Sequence, residues 1–575
     1  MTLNKPKVIW FTAFTAVFAV CAAFVFWGTW SPEMAPVMPD CATSYSTYWF
    51  RDWLRGWLET GKFAPAEAIN WIGSPYLWTE FQYAFAAFMS ALGMVYFLRG
   101  RGLPRVAAYG AGLLLAFSGY WFTLFSAGHL GWFQWMTYGI FAFGLIDRAL
   151  EKGKPRHWLL LGACLAWGSM HQPDLWLLFS VFSAAYFVFR LLVVFVGMAR
   201  DARRAALVKW AKGAAMALAA LLAIGGASFR SAFVNDLAGR DKQIEEGQTL
   251  GANAAKDDAE KRWIFVTNWS MPPEATKEFW HAGIEGDTSC PFTLAIGQKH
   301  GNGIRQYVGR LGRPMGATQG NYRQHSLYVG WVTCFLAVLG LLSALLPWLR
   351  DAGHETRATG DSRQSTMNSP SNTNNSAIIF FAVSAVVFWL FSMGRYCEPV
   401  YRLVYALPFG DYLRAPVKWH HLTEFCLCVL AGYGLAMLRF RFVPSALRKA
   451  SPDSSPAANR AALIATSLVA MWVVIGLTHL VPNARLYCAP HRADADMQFV
   501  DGRMLQDPRG VAQLNQMRAR VLGTYQGAAL IEVPKKKPKD EPAPELPSPQ
   551  PVTLALGILS LVGTLAVGAY GIKKS

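Results

Sequence analysis

Four short stretches carry residues able to do chemistry, and each lies beside an apolar run. "VMPDCATS" holds Asp40 just beyond the first run. A carboxylate at a membrane interface, partly stripped of water, suits a general base acting on a hydroxyl. Pro-Asp is equally ordinary turn chemistry, and Glu33, Asp52, Glu59 and Glu67 compete for the same role. "LFSAGHLGWFQW" sets His129 at the start of another run, and "SMHQPDLW" sets His171, Gln172 and Asp174 where one run passes into the next. Ionisable groups at helix ends that face a bundle interior are site candidates. The alternative is structural: Pro173 makes the turn, Asp174 caps the next helix and His129 rests among headgroups. In "YLRAPVKWHHLTEF", Arg414 and Lys418 flank Pro416, a good helix-start residue. Two cations beside free backbone N–H groups make an anion site suited to a phosphate. An ion pair with Asp411 or Glu398, or snorkelling to lipid phosphates, would also explain them.

Those residues need helices to hold them. Apolar runs near 8–28, 80–98, 105–125, 129–147, 157–171, 174–197, 208–228, 327–348, 377–394, 418–438, 461–481 and 552–572 predict about twelve membrane spans. The first follows "NKPK" but is long enough to span and lacks a nearby small-residue cleavage site, so it is read as an uncleaved helix. Lys and Arg fix the orientation. With the N-terminus in the cytoplasm, Arg99, Arg101, Arg105, Arg148, Lys152, Lys154, Arg156, Arg200, Arg203, Arg204, Lys209 and Lys212 all fall inside. So do Arg350, Arg357, Arg363, Arg439, Arg441, Arg448, Lys449, Lys573 and Lys574, which puts both termini inside. The short turns 126–128 and 171–173 fall outside and carry no Lys or Arg. Arg395, Arg402, Arg414 and Lys418 break this rule by lying outside, so something must favour them there.

The organisation expected is an N-terminal membrane module over 1–228, its first outer loop at 29–79, and an outward segment at 229–326. A C-terminal membrane module follows over 327–481, with a flexible inner connector at 350–376. Next come an outward segment over 482–551, ending in a Pro, Lys and Glu-rich tether, and a last span with a basic tail over 552–575. In the first outer loop, Trp49, Phe50, Trp53, Leu54, Trp57 and Leu58 recur at helical spacing opposite Arg51, Asp52 and Arg55. This predicts an amphipathic helix lying in the interface or packed on other helices. Cys41, Cys290, Cys397 and Cys488 fall in outward loops, where disulfides would be permitted.

Composition agrees with an all-α polytopic membrane protein. Of 575 residues, 53% are hydrophobic and 16% charged, and mean hydropathy is +0.22. The net charge of +18 sits mostly in short loops, where it sets topology; nucleic acid is not an expected partner. The 23 Trp, 37 Phe and 20 Tyr fit many helix ends at headgroup level.

The chain resembles the GT-C membrane glycosyltransferase superfamily and, within it, the bacterial YfhO-like proteins. The resemblance covers about 8–440 and rests on the order of several loose motifs. These are the first-loop acidic residue before a surface helix, "AGHLGWFQWMTYGIFAFGLIDRAL", "GSMHQPDLWLLF", "SMPPEATKEFW", "LYVGWVTCFLAVLGLL" and "YLRAPVKWHHLTEFCLCVLAGYGLAML". It implies an inverting enzyme of the bacterial cytoplasmic membrane with its active site facing the periplasm. A polyprenyl-phosphate sugar would be the donor, and an envelope glycan, lipid or protein the acceptor. It also implies Asp40 as base; Asp174, which would line the sugar or acceptor site, is the second candidate for a catalytic carboxylate. His129, His171 and Gln172 would line the sugar or acceptor site, and Arg414 and Lys418 would face the leaving phosphate. No convincing DxD-type metal pair stands in the outer loops, so the resemblance does not extend to a divalent metal or another cofactor.

Two other classes are compatible with the residues. A transporter or flippase for a lipid-linked or soluble substrate would show internal repeats and polar residues at mid-membrane. No repeat is visible, and polar residues crowd the outer edge. A non-catalytic envelope assembly protein would use the outward segments 229–326 and 482–551 to bind partners.

Overall fold

The computed structural model describes residues 5–26, 34–37, 54, 57–63, 75–119, 121, 124, 130–232, 239, 241, 257–281, 327–345, 370–407, 410–442, 456–480, 529–532, 548 and 550–574. Its long helices are α1 (Lys5–Phe26), α2 (Pro75–Gly100), α3 (Arg105–Ala116), α4 (Leu130–Lys152), α5 (Pro155–Ser169), α6 (Pro173–Val196) and α7 (Arg200–Ser231). The short helix α8 (Asp258–Val266) is followed by α9 (Trp331–Leu345), α10 (Pro370–Ser392) and the short α11 (Glu398–Tyr405). Then come α12 (His420–Phe442), α13 (Pro456–Ile475) and α14 (Pro551–Lys574). Two strands, β1 (Met34–Val37) and β2 (Ala529–Glu532), pair antiparallel, Met34 opposite Glu532 and Val37 opposite Ala529.

Every expected span has a helix, and the protein is an all-α polytopic membrane protein. The spans are not alike, however. Among the described residues, seven windows are long and apolar enough to cross a bilayer alone: Val8–Val25, Phe81–Gly100, Asp174–Val196, Arg200–Ser231, Asn375–Ser392, Pro416–Leu438 and Leu463–Leu480. Arg105–Ala116, Trp331–Leu345 and Pro551–Val567 are shorter apolar stretches. The remaining two are α5, 15 residues long, and α4, which carries Gln134 and Asp147 buried in the bundle. A helix shielded by its neighbours can carry polar groups that lipid would reject.

Local signals set the ends. Pro155 and Pro173 stand at the first turns of α5 and α6. Asp257 caps α8 by accepting from the Glu260 amide at 2.7 Å. One boundary departs from expectation. The flexible inner connector expected to run through 376 is shorter, because α10 begins at Pro370 and takes in "PSNTNNS". Proline suits a first helical turn, and the apolar run that follows propagates the helix.

α12 lies at the centre, packed on α3, α9 and α10, while α4 packs on α2, α5 and α6. Where α9 crosses α12, a Cβ on Gly340 would meet the Leu430 carbonyl and one on Gly434 would meet the Leu336 carbonyl. Only glycine lets the two backbones approach this closely. α7 and α14 cover α5, and α1 and α13 cover α3. Many aromatics expected at headgroup level are instead core. Trp121, Trp135 and Trp158 are fully buried. Phe182 contacts Phe388 at 4.7 Å and Phe189 contacts Phe380 at 4.5 Å between ring centroids, joining α6 to α10.

One end of the bundle, here the upper end, is where α5 passes into α6. At the other end, α4 and α6 share a buried ion cluster. Asp147 accepts from Arg190 Nε at 2.5 Å and from the Tyr186 hydroxyl at 2.9 Å, and lies 3.8 Å from Arg101 Nη1. Arg190 Nη2 also reaches Glu151 at 2.8 Å. Both buried arginines therefore face a carboxylate, as low-dielectric burial requires.

Candidate functional site

At the upper end the turn at 171–172 delivers Asp174 into the first turn of α6, where it is buried. Its Oδ1 accepts from Gln172 Nε2 at 2.9 Å and from the Leu175 amide at 3.0 Å. Its Oδ2 accepts from the ammonium of Lys418. The two residues lie 244 positions apart in the chain. Lys418 belongs to a 3-10 turn, Pro416–Trp419, that runs directly into α12. Pro416 does begin this element, but the carboxylate that Lys418 meets is that of Asp174, while the two nearer candidates serve other cations. Asp411 faces Arg262 at 3.5 Å, and Glu398 accepts from Arg402 at 2.8 Å.

A strap at 267–271 sets this corner. Trp269 and Ala415 are the non-glycine residues with positive φ among those described, at 58° and 67°. Such backbone costs energy and persists only where its surroundings over-determine it. Here the Trp269 carbonyl accepts from the Val417 amide at 3.3 Å. The Met271 amide donates to the Ser392 carbonyl at 2.9 Å, and Ser270 Oγ accepts from the Arg395 amide at 3.0 Å. The Arg414 guanidinium lies over the Trp269 ring, 3.9 Å from its centroid, with Phe265 at 5.3 Å. Arg414 and Lys418 therefore project from one rigid segment.

His171 stands beside this group, its ring stacked on Tyr138 with centroids 5.8 Å apart and planes 7° apart. Burial, aided by the charge of Lys62, pushes its imidazolium down to about 3 from the ordinary 6.5. Between those values the unfolded chain holds the extra proton, so His171 contributes stability that rises with pH across that window and is lost below it. Thermal stability in nanodiscs is expected to fall from about pH 7.5 to about pH 5, and to fall less in His171→Gln. Equal falls in the two proteins would remove His171 from the effect.

The structure thus brings together Gln172, Asp174 and Lys418, with His171 on the same turn and Arg414 on the same segment as Lys418. Asp40, His129, Glu33, Asp52 and Glu67 lie outside the described residues, as do Cys41, Cys290 and Cys488; Cys397 is a free thiol. Of the expected first-loop helix, Leu54 and the turn at 57–60 are described.

Sequence reading misses a polar group one turn further into α12. Glu424 accepts from Ser118 Oγ, and His421 Nδ1 lies 3.9 Å from Glu424 Oε2, all three side chains being buried. The Trp121 ring is 5.8 Å from that of His421. The visible signal is a Glu inside an apolar run; Arg190 on α6 gives the same signal at the other end.

No protein-family model matches the chain, and no curated protein matches it. Among solved structures it is similar to the cryo-EM structure of the arabinofuranosyltransferase AftD from mycobacteria. The TM-score is 0.37 and the identity 12%, over 82% of this chain and 26% of that one. The chain therefore spans about a quarter of the length of that enzyme.

Proposed function

We propose that this protein is an integral membrane glycosyltransferase. It moves a sugar from a polyprenyl-phosphate carrier to a cell-envelope acceptor at the outer face of the bacterial cytoplasmic membrane. The observation carrying this reading is the convergence of 171–174 and 414–418 at one end of the bundle, with Lys418 buried and Arg414 held on Trp269. Together with the motif order in the sequence, it supports a site for a phosphate leaving group.

In this reading the acceptor hydroxyl gives its proton to the Asp40 carboxylate while its oxygen attacks the anomeric carbon. The bond from that carbon to the phosphate oxygen breaks on the opposite face, so configuration inverts. The electron pair goes to the departing phosphate, where Lys418 and Arg414 offset the growing charge. Asp174, itself held by Gln172, keeps Lys418 in place, and His171 and His129 border the sugar. Fixed cations act more strongly here than in water because the site is partly dry.

Protein in lipid nanodiscs, given a panel of polyprenyl-phosphate sugars and acceptors, is expected to release polyprenyl phosphate. Asp40→Asn is expected to release it at least about a hundredfold more slowly, with the same fold and insertion. Equal rates for both proteins would remove Asp40 as base. A second reading, a transporter or flippase, is favoured by one observation: His421 and Glu424 are buried within a spanning helix. Substrate movement in proteoliposomes without any sugar transfer would decide for it.

A further inference from the structure

The first outer loop is held on both sides of Asp40 by the far end of the chain. On its N-terminal side, β1 ends at Val37, three positions before Asp40, and pairs along its length with β2. On its C-terminal side, the helical turn at 57–60 closes at Gly61, whose amide donates to the Trp57 carbonyl at 2.7 Å. That turn rests on α14. Gly61 has φ +69°, and a Cβ there would lie 2.8 Å from the Thr553 carbonyl oxygen. A Cβ on Gly557 would lie 3.1 Å from Trp57 Nε1 and 3.3 Å from the Gly61 Cα. Gly61 is thus required for the backbones to come this close, and a side chain at Gly557 would crowd the same contact.

α14 is itself fixed to the bundle. Trp167 Nε1 donates to Thr564 Oγ1 at 3.1 Å, and Arg230 Nη1 donates to Thr553 Oγ1 at 2.9 Å. A two-stranded ribbon is marginal in water by itself. β1 also lies against α2. Ala529–Glu532 and α14 therefore touch the loop at two points that bracket 38–56.

We propose that Ala529–Glu532 and α14 together form a clamp that holds 34–37 and 57–61, the stretches on either side of Asp40, against the bundle. Its consequence for catalysis, alignment of Asp40, rests on the proposed function; the clamp itself does not. Holding a reacting group in place is a large lever, since a misplacement of about 1 Å costs on the order of a hundredfold in rate.

The test uses the full-length protein in nanodiscs. Ala35 and Ile531 are opposite each other in the ribbon. Ala35→Cys with Ile531→Cys is expected to give the 35–531 disulfide on mild oxidation, read by mass spectrometry of the linked peptides. Failure to form it in folded protein overturns the pairing. Leu530→Pro and Gly557→Leu loosen the two contacts separately. Each is expected to speed protease cleavage within 38–56 by about tenfold, with bundle unfolding unchanged in at least one of them. Unchanged cleavage in both overturns the clamp.

The same variants are expected to lower kcat by about tenfold to a hundredfold with the donor KM unchanged. Oxidation of the cysteine pair, placed in the Leu530→Pro background, is expected to restore it. Faster cleavage with an unchanged kcat overturns the alignment of Asp40 and leaves the clamp standing. Absence of turnover in wild type counts against the proposed function, and the cross-link and cleavage results then decide the clamp alone.

Discussion

Lys418→Met is expected to be the most damaging single substitution at the upper end. The Lys418 and Asp174 side chains are 11% and 6% exposed, so removing the ammonium takes a cation away from a buried carboxylate and leaves it against Gln172 and the Leu175 amide. Breaking a buried pair from one side costs on the order of 3–5 kcal/mol. Under the proposed function, polyprenyl phosphate release is expected to fall by about a hundredfold or more, as when a charge-stabilising donor is lost.

The double variant Asp174→Asn with Lys418→Met separates the two effects. The amide introduced at position 174 would keep an acceptor for Gln172 and the Leu175 amide and carry no charge, so most of the stability should return. Turnover should not. Unfolding curves and release assays on wild type, Lys418→Met and the double variant provide the check. Full stability of Lys418→Met would mean that the ion pair does not hold this corner together. Restored turnover in the double variant would mean that Lys418 does not meet the phosphate.

Arg190→Met is expected to give a similar loss of stability at the opposite end, about 3–5 kcal/mol, with little change in turnover by the folded protein. Arg190 serves Asp147 through Nε and Glu151 through Nη2. Once it is gone, Asp147 retains the Tyr186 hydroxyl and Arg101 at 3.8 Å, too long for a hydrogen bond. Arg190→Lys should rescue little, because a single ammonium cannot reproduce a fork that serves two carboxylates. Denaturant unfolding of the variants measures the loss, and release assays on the folded fraction measure the second part. A loss of turnover as severe as that of Lys418→Met would couple the two ends of the bundle.

The contrast between these two clusters shows what can be read along the chain. Asp174 and Lys418 stand at helix ends, where polar residues are conspicuous. Arg190 and Asp147 lie in runs expected to span, where a single charge is easily absorbed into the average. Glu424 is hidden in the same way. The signal is present in each case, but its partner is not visible, because the partner lies on another helix.

Helices, their order and their ends are legible in the chain because their causes are local. A spanning helix closes its backbone hydrogen bonds within one segment and needs only apolar side chains around it. The same locality explains the turn at Pro173 and the start at Pro416. Which side chains meet is a matter of packing between distant segments. Lys418 meets Asp174 and not the nearer Asp411, because the Trp269 carbonyl holds the Pro416–Trp419 turn while Asp411 faces Arg262. Aromatics suited by type to a membrane surface became core, because α4, α5, α6, α10 and α12 enclose them. The pairing of Met34–Val37 with Ala529–Glu532 joins segments almost 500 residues apart. Four-residue strands carry too little pattern to specify their partner. What brings these together is tertiary packing, that of β1 on α2 included, which no local stretch of the chain encodes.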